Sequence, residues 1–384
     1  MEMRKTILQQ TATLIATTSI VLTPVAAPHL AHAGVAPEAV NSIAAPGKVD
    51  ALGRPTVSPR QISDQDGYFD SHNGSGVKIY YRVQKVANPR GNVVVVHGVS
   101  EHSGRFDYVA KRLLDAGYNV YRLDHRGHGK SASGSTPLGH IDNFQFLVND
   151  LDRVVDMAKS DTPNVKTFLL GHSMGALTVE AYGIREPGKV DGIISNGGGA
   201  PLNLSGKNVA GQVVTPDQIT ELQRNLQPNL FERLPLAEVT SFNAYYAQNL
   251  IPHRAHIGVQ SPEWTKQFPL TNPFTDGLTT SQAVKDDYAS DPLNSKPTPG
   301  TVLQLVALAL YDAVNADMFT TPTLIMHGTK DGIVPAYFSR DWYNAITSTD
   351  VTFVNWEGQM HEVFNEPAAD QAIDTSIDWL NRHI

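Results

Sequence analysis

Ten residues constrain this chain more than any others: Lys166-Thr167-Phe168-Leu169-Leu170-Gly171-His172-Ser173-Met174-Gly175. An apolar run stops at Gly171, and a Gly-X-Ser-X-Gly turn leads straight into helix-forming residues from Ala176 to Glu186. A strand that passes through one serine into a helix forces that serine into a sharp bend with its hydroxyl outward. Gly171 and Gly175 carry no Cβ, so the two elements can close on either side of Ser173. Alone, the motif is a glycine pair around a serine. Its weight depends on whether the rest of the chain supplies a base, an acid and donors for a developing negative charge.

The surrounding pattern is that of an α/β chain. Asn73-Gly74 between Tyr68–Ser71 and Val77–Val86 signals a hairpin. Four consecutive valines, Val93–Val96, suit a strand buried on both faces of a sheet. The spacing then predicts a helix over Arg105–Ala116, a strand over Tyr118–Leu123, a helix over Phe144–Ser160 and a strand over Val190–Ser195 ending at Gly197-Gly198-Gly199. Alternation breaks from Ala200 to about Asp317, which reads as a cap inserted on the sheet. Within it Thr301–Ala316 is predicted helical, with Thr301 and Gln304 at capping-box spacing. The rhythm resumes with Thr323–Met326, a helix over Ala336–Ile346, a strand over Val351–Trp356 and a last helix from Pro367 to about Arg382. Alternation of this kind implies a mostly parallel sheet with helices on both faces.

Residues 1–33 read as a signal peptide. Arg4 and Lys5 precede a modestly apolar Thr11–Leu22, and Ala31-His32-Ala33 is a small-X-small cleavage site. The apolar run is short of the ~20 residues that span a bilayer. The expectation is secretion with cleavage near Ala33, with or without retention on the cell wall. Residues 34–66, rich in Ala, Pro and Ser, read as a linker or N-terminal arm, and 67–384 as the folded domain with its cap at about 200–317. The 384 residues carry a formal charge of -8, which offers no footprint for nucleic acid. The absence of cysteine excludes disulfides, thiolate metal sites and a cysteine nucleophile.

After Ser173, two candidates stand just beyond predicted strands, where open α/β sheets collect their catalytic groups. Asp331 lies in His327-Gly328-Thr329-Lys330-Asp331, and His361 lies in Glu357-Gly358-Gln359-Met360-His361-Glu362. A serine hydroxyl needs a base to accept its proton, and the base needs an orienting acid. The order Ser173, Asp331, His361 is the one this architecture uses. Two backbone N–H groups would face the oxyanion: Met174, which opens the helix, and Val99, in the loop after His97-Gly98. Glu101 and Arg105, four residues apart, are spaced to pair and hold that loop. His125 with His128, and His253 with His256, lack a third ligand at helical spacing, so no metal and no cofactor are expected.

From about Gly67 to the C-terminus the chain resembles the α/β-hydrolase fold, and within it the monoacylglycerol lipase and lysophospholipase-like hydrolases of the serine aminopeptidase S33 group. The resemblance rests on His97-Gly98-Val99-Ser100-Glu101-His102-Ser103-Gly104-Arg105, on Asp124-His125-Arg126-Gly127-His128-Gly129-Lys130-Ser131, on Gly171–Gly175, on Asp291-Pro292-Leu293, on Gly328–Asp331 and on His361-Glu362. It implies Ser173 as nucleophile, Asp331 as acid, His361 as base, and Val99 and Met174 as oxyanion donors. The implied activity is hydrolysis of acyl esters of glycerol or a lysolipid. The implied partner is a small lipid or ester, with at most transient contact between cap and lipid surface. The cap is longer than this family's usual one, so no acyl-pocket residue is carried over.

Two other readings compete. An aminopeptidase would need an anionic subsite for a free amine, for which Glu221 or Glu232 are candidates. A binding protein could keep the scaffold without catalysis, which an intact set of three residues argues against. Thr301–Ala316 is too apolar for an exposed helix. It either fills the space between cap and sheet or lines an acyl channel above Ser173, with Leu305 and Leu308 as candidates.

Overall fold

The computed structural model describes residues 38–41, 48–71, 76–199 and 275–384. The expected signal peptide, the expected Asn73-Gly74 turn and residues 200–274 of the expected cap lie outside the described residues. Among the described residues nine strands form one sheet: β1 (Glu38–Asn41), β2 (Gln61–Asp70), β3 (Lys78–Val86), β4 (Gly91–Val96), β5 (Tyr118–Leu123), β6 (Lys166–His172), β7 (Gly192–Asn196), β8 (Thr323–Gly328) and β9 (Val351–Trp356). Their spatial order is β1-β2-β3-β5-β4-β6-β7-β8-β9. Along that order the pairings from β1 through β2 and β3 to β5 are antiparallel, and those from β5 through β4 to β9 are parallel. This is the α/β-hydrolase architecture.

The valine run explains the layering. Val94 and Val96 point into one apolar cluster and Val93 and Val95 into another, on opposite faces of the same strand. The next strand does likewise, with Leu169 on the first face and Phe168 and Leu170 on the second. A strand with helices on both sides has no polar face, so its sequence is a continuous apolar run rather than an alternation. Helices α1 (Asp107–Asp115), α2 (Phe144–Asp161), α3 (Met174–Arg185), α4 (Gln282–Ser290), α5 (Pro299–Asn315), α6 (Tyr337–Ala345) and α7 (Ala369–His383) complete the described layers. α2, α3 and α5 cover the first face, while α1 and α7 cover the second.

Two expectations are corrected. The cap of α5 is Thr298, whose side chain accepts from the Thr301 N–H, with Pro299 at the first helical position. Thr301 instead donates its hydroxyl to Gly139 O at 2.6 Å, and Gln304 Oε1 accepts from the Phe144 N–H at 3.0 Å. Both side chains tie α5 to the sheet domain, which is why their capping-box spacing misleads. The second correction concerns residues 34–66. β2 begins at Gln61, six residues before Gly67, and Glu38–Asn41 pairs with it. Ahead of β2, Arg54 donates to Phe364 O at 3.2 Å and to Asn365 Oδ1 at 2.9 Å. Its guanidinium also lies 4.0 Å from the Tyr108 ring centroid. Described residues 48–66 are part of the folded domain, held by partners 310 positions away in sequence that no local pattern announces.

α3 and α5 pack on one another and bury two carboxyls at their contact, Glu180 and Asp312. Glu180 accepts from the Ser195 hydroxyl at 2.5 Å and from the Gly199 N–H at 3.2 Å. Neither oxygen of Asp312 has a partner among the described residues. Burial pushes Glu180 up to about 8, and burial with the nearby Glu180 charge pushes Asp312 well above the carboxylate range. A carboxyl whose pKa rises on folding costs nothing below its unfolded value of about 4, and stability then falls as pH climbs toward the folded value. Asp312→Asn is therefore expected to raise Tm at pH 8.5 and change it far less at pH 5. Equal shifts in the two melts would contradict the assignment.

Candidate active site

Ser173 sits between β6 and α3 with φ 54° and ψ -118°, a strained conformation for a residue with a Cβ, of a kind that costs about 1–3 kcal/mol. The crossing enforces it. A Cβ added at Gly171 would stand 2.3 Å from Gly175 O, and one at Gly175 would stand 2.1 Å from Val96 O. The Ser173 N–H donates to Asn196 O at 2.8 Å, and Ser173 O accepts the Leu177 N–H, the first bond of the helix. Met174 follows at the N-terminus of α3, where the helix dipole favours negative charge.

Asp331 follows β8 and His361 follows β9, and the chain brings them together: His361 Nδ1–H donates to Asp331 Oδ2 at 2.6 Å. The other aspartate oxygen accepts from the N–H groups of Ile333 and Val334, at 2.8 and 2.9 Å. Burial opposes a charge on Asp331. His361 and the hydrogen bonds from His327 and His361 outweigh it and hold the carboxyl well below its ordinary range. Burial likewise opposes a charge on His361, yet Asp331, then Glu362 and Glu101, raise the imidazole pKa above its ordinary value.

Ser173 and His361 border one cavity together with Gly98, Val99, Leu278 and Tyr288. A larger one, of about 720 Å³ with its mouth, opens on the other side of Ser173 and Met174. Its walls are apolar: Val99, Leu177, Val302, Leu305, Ala309 and Phe338. So α5 lines a cavity beside Ser173, with Leu305 on its wall, while Leu308 is fully buried in the core. Of the residues predicted from sequence, Val99 and Ser173 border both cavities, Met174 the larger and His361 the smaller, and Asp331 lies buried behind His361. Glu221 and Glu232, and the His253/His256 pair, lie outside the described residues.

The Glu101–Arg105 pair is not a solvated one. Arg105 is 4% exposed and binds Glu101 Oε2 at 3.0 Å and both oxygens of Glu362. Glu101 Oε1 accepts the Gly98 N–H at 2.6 Å. The two acids share one guanidinium unequally. Burial pushes Glu101 up to about 7 despite Arg105, whereas Glu362, with two bonds, is held below its ordinary value against the same burial.

The serine aminopeptidase S33 family model matches residues 87–368. This chain belongs to that family. A monoacylglycerol lipase from Mycolicibacterium smegmatis is 30% identical over 312 residues, covering 80% of this chain and 95% of that protein. The phospholipase YtpA of Bacillus subtilis is 23% identical over 311 residues, covering 78% and 98%. Among solved structures, the Paleococcus ferrophilus monoacylglycerol lipase superposes with a TM-score of 0.59 at 24% identity, over 80% of this chain and 99% of that one. At that identity the superposition speaks for the fold. The chain is thus a monoacylglycerol-lipase-like α/β-hydrolase, an enzyme of the ester-hydrolase kind.

In this S33 chain three further residues surround the site without having been singled out from sequence. His327 Nε2–H reaches Asp331 Oδ2 at 2.9 Å and Val334 O at 2.8 Å. Its signal was positional: it is the penultimate residue of β8, four residues before Asp331. The His172 ring lies 4.7 Å from that of His361, and its Nδ1 accepts from Asn196 Nδ2 at 2.9 Å. Burial and the His361 charge drop its pKa to about 3. Glu362, adjacent to His361, finds its arginine 257 positions away. His97 donates from Nδ1 to Gly98 O at 2.7 Å and accepts the His125 N–H at Nε2, so it joins two loops and keeps no free nitrogen. His102 Nε2 meets Asp291 Oδ2 at 2.8 Å, linking the first motif to the residue that follows α4.

A histidine titration followed by NMR should give His361 a midpoint above 6.5 and leave His172 neutral through pH 4. Asp331→Asn should lower the His361 midpoint, because it removes the nearest negative charge. An unmoved midpoint would mean that Asp331 does not control this imidazole.

Proposed function

We propose that this chain is a secreted serine esterase that cleaves monoacylglycerols through an acyl-enzyme, with Ser173 as nucleophile, His361 as base and Asp331 as its orienting acid. The observation that carries this reading is the 2.6 Å His361–Asp331 bond, set on the cavity that Ser173 borders. Ser173 Oγ attacks the ester carbonyl carbon while its proton passes to His361 Nε2. Asp331 stabilises the imidazolium that results. The N–H groups of Val99 and Met174 receive the oxyanion, and the helix end at Met174 adds its dipole. When the tetrahedral intermediate collapses, His361 returns the proton to the departing glycerol oxygen. Water, deprotonated by His361, then releases the fatty acid.

The two cavities divide the substrate. The apolar wall along Leu177, Val302 and Leu305 suits an acyl chain, and the smaller cavity with Tyr288 and Glu101 suits the glycerol head. The monoacylglycerol lipase of M. smegmatis, matched over 95% of its length, supports that choice of substrate. The phospholipase relative keeps lysophospholipid as the alternative ester. Aminopeptidase action fits less well, because Glu101 and Glu362, the acids bordering the smaller cavity, are both bonded to Arg105. Secretion is supported by Arg4, Lys5, the apolar Thr11–Leu22 and Ala31-His32-Ala33.

Ser173→Ala should abolish ester hydrolysis and fluorophosphonate labelling while the protein still folds. Near-wild-type turnover would overturn the assignment. Val99→Pro deletes one oxyanion donor and should cost about a hundred- to a thousandfold in kcat. Val99→Ala keeps the N–H and should stay close to wild type; equal damage from both would point to side-chain packing instead.

Substrate length gives a separate test. Each methylene buried along the channel adds at most about 0.8 kcal/mol, or roughly fourfold in kcat/KM. A rise from acetyl to medium-chain glycerol monoesters is expected, and Leu305→Trp should shorten the preferred chain. A flat profile, or a preference for aminoacyl amides, would reject the lipid-ester substrate.

A further inference from the structure

Arg105 sits where three separate segments of the chain meet. On one side Glu101 binds it and, through its other oxygen, accepts the N–H of Gly98, the residue whose carbonyl forms the next peptide with the Val99 N–H. On the other side Glu362 takes both guanidinium nitrogens, at 3.0 Å for Nη2, and Glu362 is the residue after His361. The turn that carries Glu362 is itself fastened. Its N–H donates to Leu278 O at 2.9 Å, and Asn365 Nδ2 donates to Glu362 Oε2 at 3.0 Å. From the cap, the Tyr288 ring of α4 faces the guanidinium at 4.8 Å.

We propose that Arg105 is a positioning residue: it fixes the oxyanion loop at Val99 and the loop of the base His361 relative to one another, so that both face Ser173 at once. The proposal rests on the catalytic roles given above to Val99 and His361. Its physical ground is the shape of the guanidinium. A planar fork of five donors can hold two carboxylates in fixed directions, whereas an ammonium is a point charge that leaves their orientation loose. The oxyanion donors and the base come from the ends of different strands, and no backbone bond links them directly. A rigid bridge between them removes a relative displacement that costs about a hundredfold in rate per ångström in such sites.

The test is Arg105→Lys in the full-length chain, with kcat expressed per active site titrated by a fluorophosphonate. The expected result is a fall of about ten- to a hundredfold in kcat with KM within twofold, since ground-state binding in the apolar channel is untouched. A merely structural role would lower Tm and the titratable fraction and leave kcat per site unchanged. That outcome would overturn the proposal. If the lysine variant does not fold, Glu362→Gln takes its place, since it keeps an oxygen for Arg105 and loosens only one side. It should lower kcat per site severalfold and move the acid limb of kcat/KM to lower pH, because the Glu362 charge is among those that hold the His361 proton. A kcat within twofold of wild type, with an unmoved limb, would overturn the proposal there. Wild-type turnover by either variant, beside an inactive Ser173→Ala, rejects the bridge and leaves the esterase reading standing.

Discussion

The bend at Ser173 is the constraint from which the rest of this structure follows. A serine held at positive φ is unfavourable by itself, and nothing in its own side chain offsets the cost. The strain persists because the strand before it and the helix after it are locked by large apolar surfaces on both sides of the sheet. Val96 and Gly175 approach within a distance that no Cβ would permit. The valines of β4, the leucines of β6 and the apolar face of α3 thus supply more than stability. They determine that one hydroxyl projects between two cavities rather than lying along a regular strand or helix.

Among the described residues, the buried carboxyls Asp331 and Glu362 differ from Glu180 and Asp312 in their donors. Asp331 receives two backbone N–H groups and two imidazoles, and Glu362 receives both arms of Arg105. Both keep their charge against burial. Glu180 receives a hydroxyl and one backbone N–H, and Asp312 has no donor among the described residues, so burial raises the pKa of both. Burial opposes ionisation in all four, and in these four the donors brought by the backbone and the neighbouring bases decide the outcome. The site therefore concentrates negative charge around one imidazole while the α3–α5 contact stays neutral.

Much of this was legible in advance because it is encoded locally. Val93–Val96 announces a strand buried on both faces. Gly171–Gly175 announces the bend, and Asp331 and His361 each follow a strand whose end is plain from composition. What was hidden depends on partners far away in the chain. Glu362 and Arg105 belong to different motifs, and nothing periodic connects them. Thr301 carries a helix-start pattern but is used for tertiary bonding, because the preceding Thr298-Pro299 already begins the helix. Residues 48–56 have the composition of a linker, and only the Arg54 contacts to Asn365 and Tyr108 make them part of the domain.

That last contact has a mechanical consequence. Arg54 grips the turn Val363–Asn365, and Asn365 in turn bonds Glu362, the neighbour of His361. A pull applied to the chain at residues 48–54 would arrive at the back of the histidine turn before it reached the centre of the sheet. Immobilising the protein through that segment would put the turn under tension. Anchoring it through Ile384, at the end of α7, would leave the turn slack.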